Sequence, residues 1–414
     1  MTKWKPTLVA FLASQAVSLV GSAVVAYAVI WHVALTTKSG WSYTLIALAG
    51  LLPQGVMSLF GGVWADRHSR KALVIAADAI TALVTLAAAA ALWSGAEPSL
   101  LLLGLTLFLR GLSGGVQLPA EAAIVPTLVP DGQLLRVNSA NGAIQAVVLL
   151  GSPALAGVLL SFGWELAWLL MIDVVTAAAA IVILAFIAVP KPQSGERRRL
   201  TAELAETWRY GLGHRVLKRV LLLALGLYVL ILAPTQLTPI MVVRLFGEEP
   251  WKLATVEVAW SAGLIAGGAI LAVWGGLRNR MAMIIAMSVV WGIFTAALGL
   301  APWYWLFAAI WVVFGISGAA LQAATMTVVQ EETPPALLGR MMGVTTLIGN
   351  LAGPVGLLAV GPLADVVSVR TVFVVCGLLA VAVTICLAVG APPQWAPGRS
   401  PAAVGPSGLK SERE

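Results

Sequence analysis

Charge is what this sequence has least of. Asp, Glu, Lys and Arg make up 10% of the 414 residues, against about 25% in a soluble domain. A water-soluble globule of this size cannot cover its surface with so few charges, which argues against a soluble enzyme, a nucleic-acid binder or a disordered scaffold. Histidine is equally sparse. His32, His68 and His214 are too dispersed for a metal site. Cys376 and Cys386 share one apolar run, about 15 Å apart along a helix and so too far for a disulfide. No Gly-x-x-x-x-Gly-Lys-Ser/Thr phosphate loop occurs. Neither catalysis nor ATP hydrolysis is expected, no cofactor is required, and any energy source is a gradient.

Apolar residues are what is abundant, at 60% before the 41 Gly are counted. Divided by the roughly 20 residues that cross a bilayer, they make about a dozen spans. Breaks in the apolar runs set these at 7–32, 41–64, 72–94, 99–125, 138–162 and 164–189, then 217–243, 252–275, 280–301, 303–326, 340–364 and 369–390. The first run, Leu8 to Val33, exceeds a signal-peptide core of about 7–15 residues and is read as a retained span. The expected organisation is an N-terminal six-helix bundle (1–190), a charged linker (191–216), a C-terminal six-helix bundle (217–391) and a disordered tail (392–414). In the linker, Leu200, Leu204, Trp208 and Leu212 recur every four residues. Such a stripe suits a short amphipathic helix on the bilayer surface, or a plain tether.

With the N-terminus inside, 20 of the 25 basic residues fall on one face, among them Arg67, Arg70, Lys71, Arg136 and Arg340. Four fall on the other (Lys38, Arg244, Lys252, Arg370) and one, Arg110, lies within a span. The positive-inside bias predicts a multi-pass protein of the plasma (inner) membrane with both termini cytoplasmic. Trp31, Trp41, Trp93, Trp164, Trp251 and Trp303 stand near span ends, where indole rings anchor in the headgroup layer.

The second half echoes the first. Arg110-Gly-Leu-Ser-Gly-Gly in the fourth span reappears 204 residues on as Phe314-Gly-Ile-Ser-Gly-Ala in the tenth. Gly151-Ser-Pro153 in the fifth is matched by Gly353-Pro354 in the eleventh. A duplicated six-span unit predicts a site between the halves near mid-membrane.

These residues also resemble a known family. Gly62-Val-Trp-Ala-Asp66-Arg67-His-Ser-Arg70-Lys71, between spans two and three, is similar to the loop signature of the major facilitator superfamily, with Trp64 and Ser69 as departures. Arg110 with Gly114 resembles its fourth-helix motif, and Gly151, Pro153 and Gly157 its antiporter motif. The cytoplasmic stretches 129–138 and 208–215 resemble the macrolide-efflux and enterobactin-exporter branch. The resemblance implies an all-α membrane fold of 12 helices in two pseudo-symmetric bundles. It further implies drug:proton antiport by alternating access, and a monomer.

It also suggests roles. Asp66 would face the positive N-terminal end of the eleventh helix near Arg340, and Arg70 would bridge to Glu121, latching the halves at the cytoplasmic gate with Arg67 and Lys71 beside them. Asp78 is expected to partner that charged loop. An unpaired Arg110 at mid-membrane would cost roughly 2.5–3.5 kcal/mol, so it should face the cavity, Asp173, or a polar group such as Gln145. Asp173 serves either proton coupling or static packing, and Glu257 is a second coupling candidate. Gly151, Pro153 and Gly157, echoed by Gly353 and Pro354, should let helices approach closely. Gln15, Gln145, Gln322 and Asn350, with Trp260 and Trp311, are expected to line an apolar cavity.

The expected activity is export of hydrophobic or amphipathic compounds, macrolide-like drugs or siderophores, by proton antiport. The partners are a small lipophilic substrate, protons and the lipid bilayer, with no nucleic acid. Alternatives on the same fold are a lysophospholipid flippase and an uptake symporter.

Overall fold

A computed structural model describes residues 4–130, 133–190 and 200–389. Among them there is no strand. The first six spans are α1 (Trp4–Thr37), α2 (Gly40–Arg67), α3 (Arg70–Trp93), α4 (Leu100–Leu128), α5 (Leu134–Ser161) and α6 (Leu166–Ala185). The linker contributes α7 (Leu200–Gly213). The seventh span is broken into α8 (Arg215–Leu227), a π-turn (Tyr228–Leu232), α9 (Ala233–Gln236) and α10 (Thr238–Leu245). Pro234 and Pro239 account for the breaks, since proline has no N–H to continue the ladder. Then follow α11 (Pro250–Trp274), α12 (Arg280–Leu300), α13 (Tyr304–Glu332), α14 (Pro335–Leu363), a π-turn (Ala364–Ser368) and α15 (Val369–Val389).

Apolar runs become helices because lipid offers the backbone no hydrogen-bond partner. The polar residues between runs then start each helix. Ser39, Ser69, Ser99 and Asn279 are N-caps whose side chains accept from the N–H groups of Ser42, Ala72, Leu102 and Ala282. Eleven helical stretches are long and apolar enough to cross a bilayer. The last, Arg340–Ala388, contains both α14 and α15; as one straight rod it would reach about 73 Å, more than twice the hydrocarbon thickness. Large apolar side chains face outward, such as Val273, Phe186 and Leu101 at 93%, 87% and 81% exposed, as lipid rather than water requires.

Packing repeats between the halves. In the first, α2 pairs with α4, α3 with α6 and α3 with α4; in the second, α11 pairs with α13, α12 with α15 and α12 with α13. The echoed motif sits at the closest approach in each. A Cβ on Gly111 would stand 2.3 Å from the Gly50 carbonyl oxygen, and one on Gly315 would stand 2.4 Å from that of Trp260. Across the halves, α5 packs on α11 and α2 on α14.

The interiors differ. One continuous apolar core fills the second half and runs into the far ends of α1 and α2 through Trp31, Ala34 and Tyr43. The first half has two separate apolar clusters, one around Phe11, Val74 and Ile124, the other around Val29, Ile46 and Leu169. Between them lies a buried polar layer of Ser18, Asp78, Thr81, Thr85, Arg110 and Asp173.

The C-terminal part of the linker helix packs on the second half, while Leu212 of its stripe is exposed. Trp208 and Tyr210 pack against the second half's core, and Gly211 lies beside Met341. Apolar side chains gain as much from a protein groove as from lipid, so the stripe alone left both open. The remainder of the linker (191–199) and the tail expectation (392–414) lie outside the described residues.

Candidate functional site

Each half carries a cavity, and the walls of the two differ in chemistry. The first half's wall, about 270 Å³, is built by α1, α2 and α4 with Thr81 of α3 and includes Gln15, Ser18, Gln54, Arg110, Gln117 and Glu121. On α4, Arg110, Gly114, Gln117 and Glu121 follow helical spacing and share this face. Behind the wall, the Arg110 guanidinium forms an ion pair with Asp173 and also donates to Thr85 Oγ1 and, at 3.2 Å, to the Ser22 carbonyl. Asp173, fully buried, accepts from Ser22 Oγ at 2.8 Å and Thr85 Oγ1 at 3.2 Å. Both oxygens of this carboxylate are satisfied, which is the condition for burying a charge.

The second half's wall, about 490 Å³, is apolar and aromatic, with Tyr228, Trp260, Trp291, Leu321, Gln322 and Met326 among its residues. No charged residue is among the described residues lining it. Where α4 carries Arg110, the repeat carries Phe314, and the surroundings follow. Trp291 stacks on Phe314 with centroids 4.9 Å apart and planes at 4°, and donates its indole N–H to the Phe314 carbonyl at 3.1 Å. Trp260 lies 5.5 Å from the same ring. Gly318 leaves room for both indoles, since a Cβ there would meet Trp291 at 2.9 Å and Trp260 at 3.0 Å. A groove of about 480 Å³ continues from this wall between α5, α11 and α13, past Leu149, Ile265 and Met326.

The halves meet at the end opposite the basic loops. Asp365, in the turn after α14, accepts from Gly40 N (2.7 Å), Trp41 N (2.9 Å) and Ser39 Oγ (2.9 Å) at the start of α2. Arg244 pairs with Asp365 and donates to the Lys38 carbonyl at 2.8 Å, while Lys38 pairs with Glu248. Beneath this, Thr44 sits against Gly361, and Gly157 of α5 against Ala254 of α11. Glu257 of α11 faces the Tyr27 hydroxyl of α1 in the same zone.

At the basic end the expected contacts differ. Asp66 is 78% exposed and its described ion partner is Arg70, at 4.0 Å, in its own half. The anticipated contact with the start of α14 is not made with the far end closed. Arg70 donates to the carbonyls of Ala65 (3.2 Å) and Ala123 (2.8 Å) rather than bridging to Glu121, whose carboxylate turns into the cavity wall. Lys71 donates to the carbonyls of Ala185 and Ile187 at 2.7 and 2.8 Å, tying α3 to α6. Arg67 ends α2 as an exposed basic residue in its last turn, and Arg340 lies half-buried in α14.

Asp78 does not partner the charged loop. It lies two turns into α3, about 12 Å along the axis from Arg70, and accepts from Ser18 Oγ at 2.8 Å and Gln117 Nε2 at 2.9 Å. Of the cavity residues named from sequence, Gln15, Gln322 and Trp260 line it. Gln145 is exposed outside both walls and does not meet Arg110; the neighbouring Ala146 takes the groove-facing position, one helical step of about 100° away. Trp311 is buried behind Trp260 and Phe314. The Asn350 side chain lies outside the described residues. Gly151 has nothing within reach of an added Cβ, and Gly353 approaches Gln236 and Leu232 of its own half rather than the opposite one. Pro153 and Pro354 sit inside α5 and α14. Of the glycines in that set, Gly157 meets the other half. Sequence reasoning missed Gln117, Trp291 and Tyr228; the α4 stripe was a visible signal for the first. It also missed Asp365 and Arg244, for which no local signal exists.

A family model described as Major Facilitator Superfamily matches residues 7–289 and 253–413. Macrolide efflux protein A of Streptococcus pyogenes is 30% identical over 401 residues, covering 94% of this chain and 96% of that protein. Multidrug efflux pump Tap of Mycobacterium tuberculosis (strain ATCC 25618 / H37Rv) is 24% identical over 383 residues, covering 90% of each. The crystal structure of a POT family transporter in complex with 5-aminolevulinic acid superposes with a TM-score of 0.73 at 12% identity, over 92% of this chain and 95% of that one. At such identity the likeness is one of fold.

Proposed function

The chain belongs to the major facilitator superfamily, and from that premise we propose that it exports bulky lipophilic or amphipathic compounds by proton antiport with alternating access. It is a multi-pass membrane transporter and not an enzyme. The carrying observation is the division of labour between the walls. A substrate's apolar body meets the indoles and Met326 of the second half, while ionisable groups are confined to the first. Sugars need many fixed polar contacts, and the aromatic wall offers few. The names of the relatives, macrolide efflux and multidrug efflux, favour the same direction of transport and the same class of cargo.

The basic end faces the cytoplasm on the charge bias of the loops. With the far end sealed by Asp365 and Asp66 unlatched, the conformation is cytoplasm-facing. Substrate enters from the cytoplasm or the inner leaflet. A proton taken up outside then drives the return, one pH unit supplying about 1.4 kcal/mol and 100 mV about 2.3 kcal/mol per charge. The test is a susceptibility panel in an efflux-deficient bacterial host, with pH-gradient-driven uptake of erythromycin into everted vesicles. No resistance to any lipophilic compound, together with no gradient-dependent uptake, refutes the proposal.

The groove between α5, α11 and α13 favours a second reading, since its lining is largely apolar. A lysophospholipid flippase would use such a path. It predicts head-group-dependent lipid transfer between leaflets of reconstituted vesicles and no drug resistance.

A further inference from the structure

The ion pair of Arg110 and Asp173 is the obvious place to look for a coupling proton, yet its geometry argues against it. Asp173 is fully buried, paired with a guanidinium and bonded by Ser22 and Thr85. Both of its oxygens already accept from a donor, so neither is a vacant buried acceptor. Glu257 sits in the sealed end, away from the open mouth.

Asp78 is the reverse case. It is 2% exposed, and among the described residues no cation bonds to it and its buried Oδ2 has no hydrogen-bond partner. Its Oδ1 accepts from Ser18 on α1 and Gln117 on α4. Gln15, one turn from Ser18 on the same wall, likewise has a buried Oε1 with no donor. Asp78 Oδ2 is thus a buried acceptor with a vacant place for a proton, behind the wall that Ser18 and Gln117 line. Gln117 leads outward from Asp78 along α4 to Glu121, one turn nearer the cytoplasmic mouth, and Glu121 lines the cavity. The charged neighbours are few. Asp78 lies within electrostatic reach of Asp173 on α6 and of Glu121, Arg110 is committed to Asp173, and Arg70 is held by the carbonyls of Ala65 and Ala123.

Resting on the antiport reading above, we propose that Asp78 and Glu121, joined through Gln117, carry the coupling proton, and that Arg110 and Asp173 form a permanently charged strut beside them. In the outward-facing state Asp78 takes a proton onto its unpartnered Oδ2. In the cytoplasm-facing state that proton passes by way of the Gln117 side to Glu121 and into the cytoplasm, and substrate enters as it leaves. One proton enters from outside and one leaves inside per cycle of the pair, with no other bond made or broken.

Two measurements test this. Purified wild-type protein should show infrared carbonyl absorption of protonated carboxylic acid that grows as the pH is lowered. Asp78→Asn should remove a component of that band and Asp173→Asn should leave the same component in place. In proteoliposomes with erythromycin as probe, Asp78→Asn should keep counterflow within about twofold of wild type and lose at least tenfold of the accumulation driven by a pH gradient, and Glu121→Gln should lose at least tenfold of that accumulation relative to its own counterflow. Glu121 borders the open cavity, so Glu121→Gln carries the test if Asp78→Asn does not fold. Wild-type accumulation by both variants, or loss of that component in Asp173→Asn instead, overturns the assignment while leaving antiport intact. If wild type itself moves erythromycin equally with and without a pH gradient, the antiport reading falls and takes this assignment with it.

Discussion

Neutralising Asp365 should open the outer face. In the present conformation its carboxylate spans the halves, accepting from Gly40 N, Trp41 N and Ser39 Oγ at the start of α2 while pairing with Arg244. The free N–H groups and the dipole of a helix N-terminus favour an anion there. An Asn keeps the shape and loses the charge. A hydrogen bond to a charged acceptor contributes about 1.5–3 kcal/mol, and a neutral one about 0.5–1.5. An amide has one acceptor oxygen and turns a donor NH2 to the other side, so one of the three bonds is lost at roughly 1.5–3 kcal/mol and the other two weaken by roughly 0.5–1 each, about 3 in all. The side chain is 28% exposed, so screening reduces this to about 2 kcal/mol. Since 1.4 kcal/mol is a factor of ten, the closed-to-open ratio of the outer face should fall roughly thirtyfold. Thr44 is fully buried against Gly361 when that face is shut. A Thr44→Cys reporter, with Cys376 and Cys386 replaced, should therefore react about that much faster with an impermeant maleimide when Asp365→Asn is added. Arg244→Gln should accelerate it less, because the contacts to α2 remain. An unchanged labelling rate in Asp365→Asn would refute the reasoning.

Gly157→Leu should have the same direction of effect by sterics: a Cβ there would already lie 2.2 Å from that of Ala254, so outer closure is blocked, and outward labelling rises as transport is lost. If transport persists at wild-type rate, α5 and α11 do not need that contact. Arg110→Met strands the Asp173 charge in a site with 0% exposure and should cost about 3–5 kcal/mol of stability. The double variant Arg110→Met with Asp173→Leu should recover much of it in a thermal melt; a double loss equal to or beyond the sum of the singles would show that no pair was broken. Trp291→Ala removes the ring stacked on Phe314 and should weaken binding of a lipophilic probe roughly tenfold, read by equilibrium dialysis, with vesicle proton leak unchanged. Equal binding would place the substrate elsewhere in the cavity.

The spans, the doubling and the Arg110–Asp173 contact were all legible in sequence for one physical reason: lipid makes each omission expensive. An apolar run must become a helix there, and an Arg at mid-membrane must find a partner. Arg110-Gly111 and Phe314-Gly315 were legible as a repeat because backbone-to-backbone approach admits only glycine at 2.3–2.4 Å from a carbonyl oxygen. What failed did so by one helical step or by one missing neighbour. Gln145 and Ala146 differ by a single residue, which rotates one out of the groove the other lines. Asp78 was assigned to the charged loop by proximity in sequence, though two turns of helix carry it to Ser18 and Gln117. Asp365 was missed altogether, because its partners on α2 are more than 320 residues away.

That last miss bears on how the two faces alternate. The α2 helix runs from Gly40 at the sealed end to Arg67 at the basic end, and α14 crosses it in the opposite half, from Pro335 at the basic end to Leu363 at the sealed one. Each helix therefore brings an aspartate at its C-terminal end toward the N-terminal end of the other: Asp365 reaches the start of α2, and Asp66 stands at the end of α2 on the side where α14 begins. The two helix N-termini offer the same dipole but not the same donors: α2 starts Ser39-Gly40-Trp41, whereas α14 starts Pro334-Pro335, where Pro335 has no N–H to give. An Asp66 contact in the opposite conformation would therefore be the weaker of the two. Rigid halves cannot close both faces at once, so the free-energy gap between states would depend on the difference between the two contacts, which a proton can offset at about 1.4 kcal/mol per pH unit.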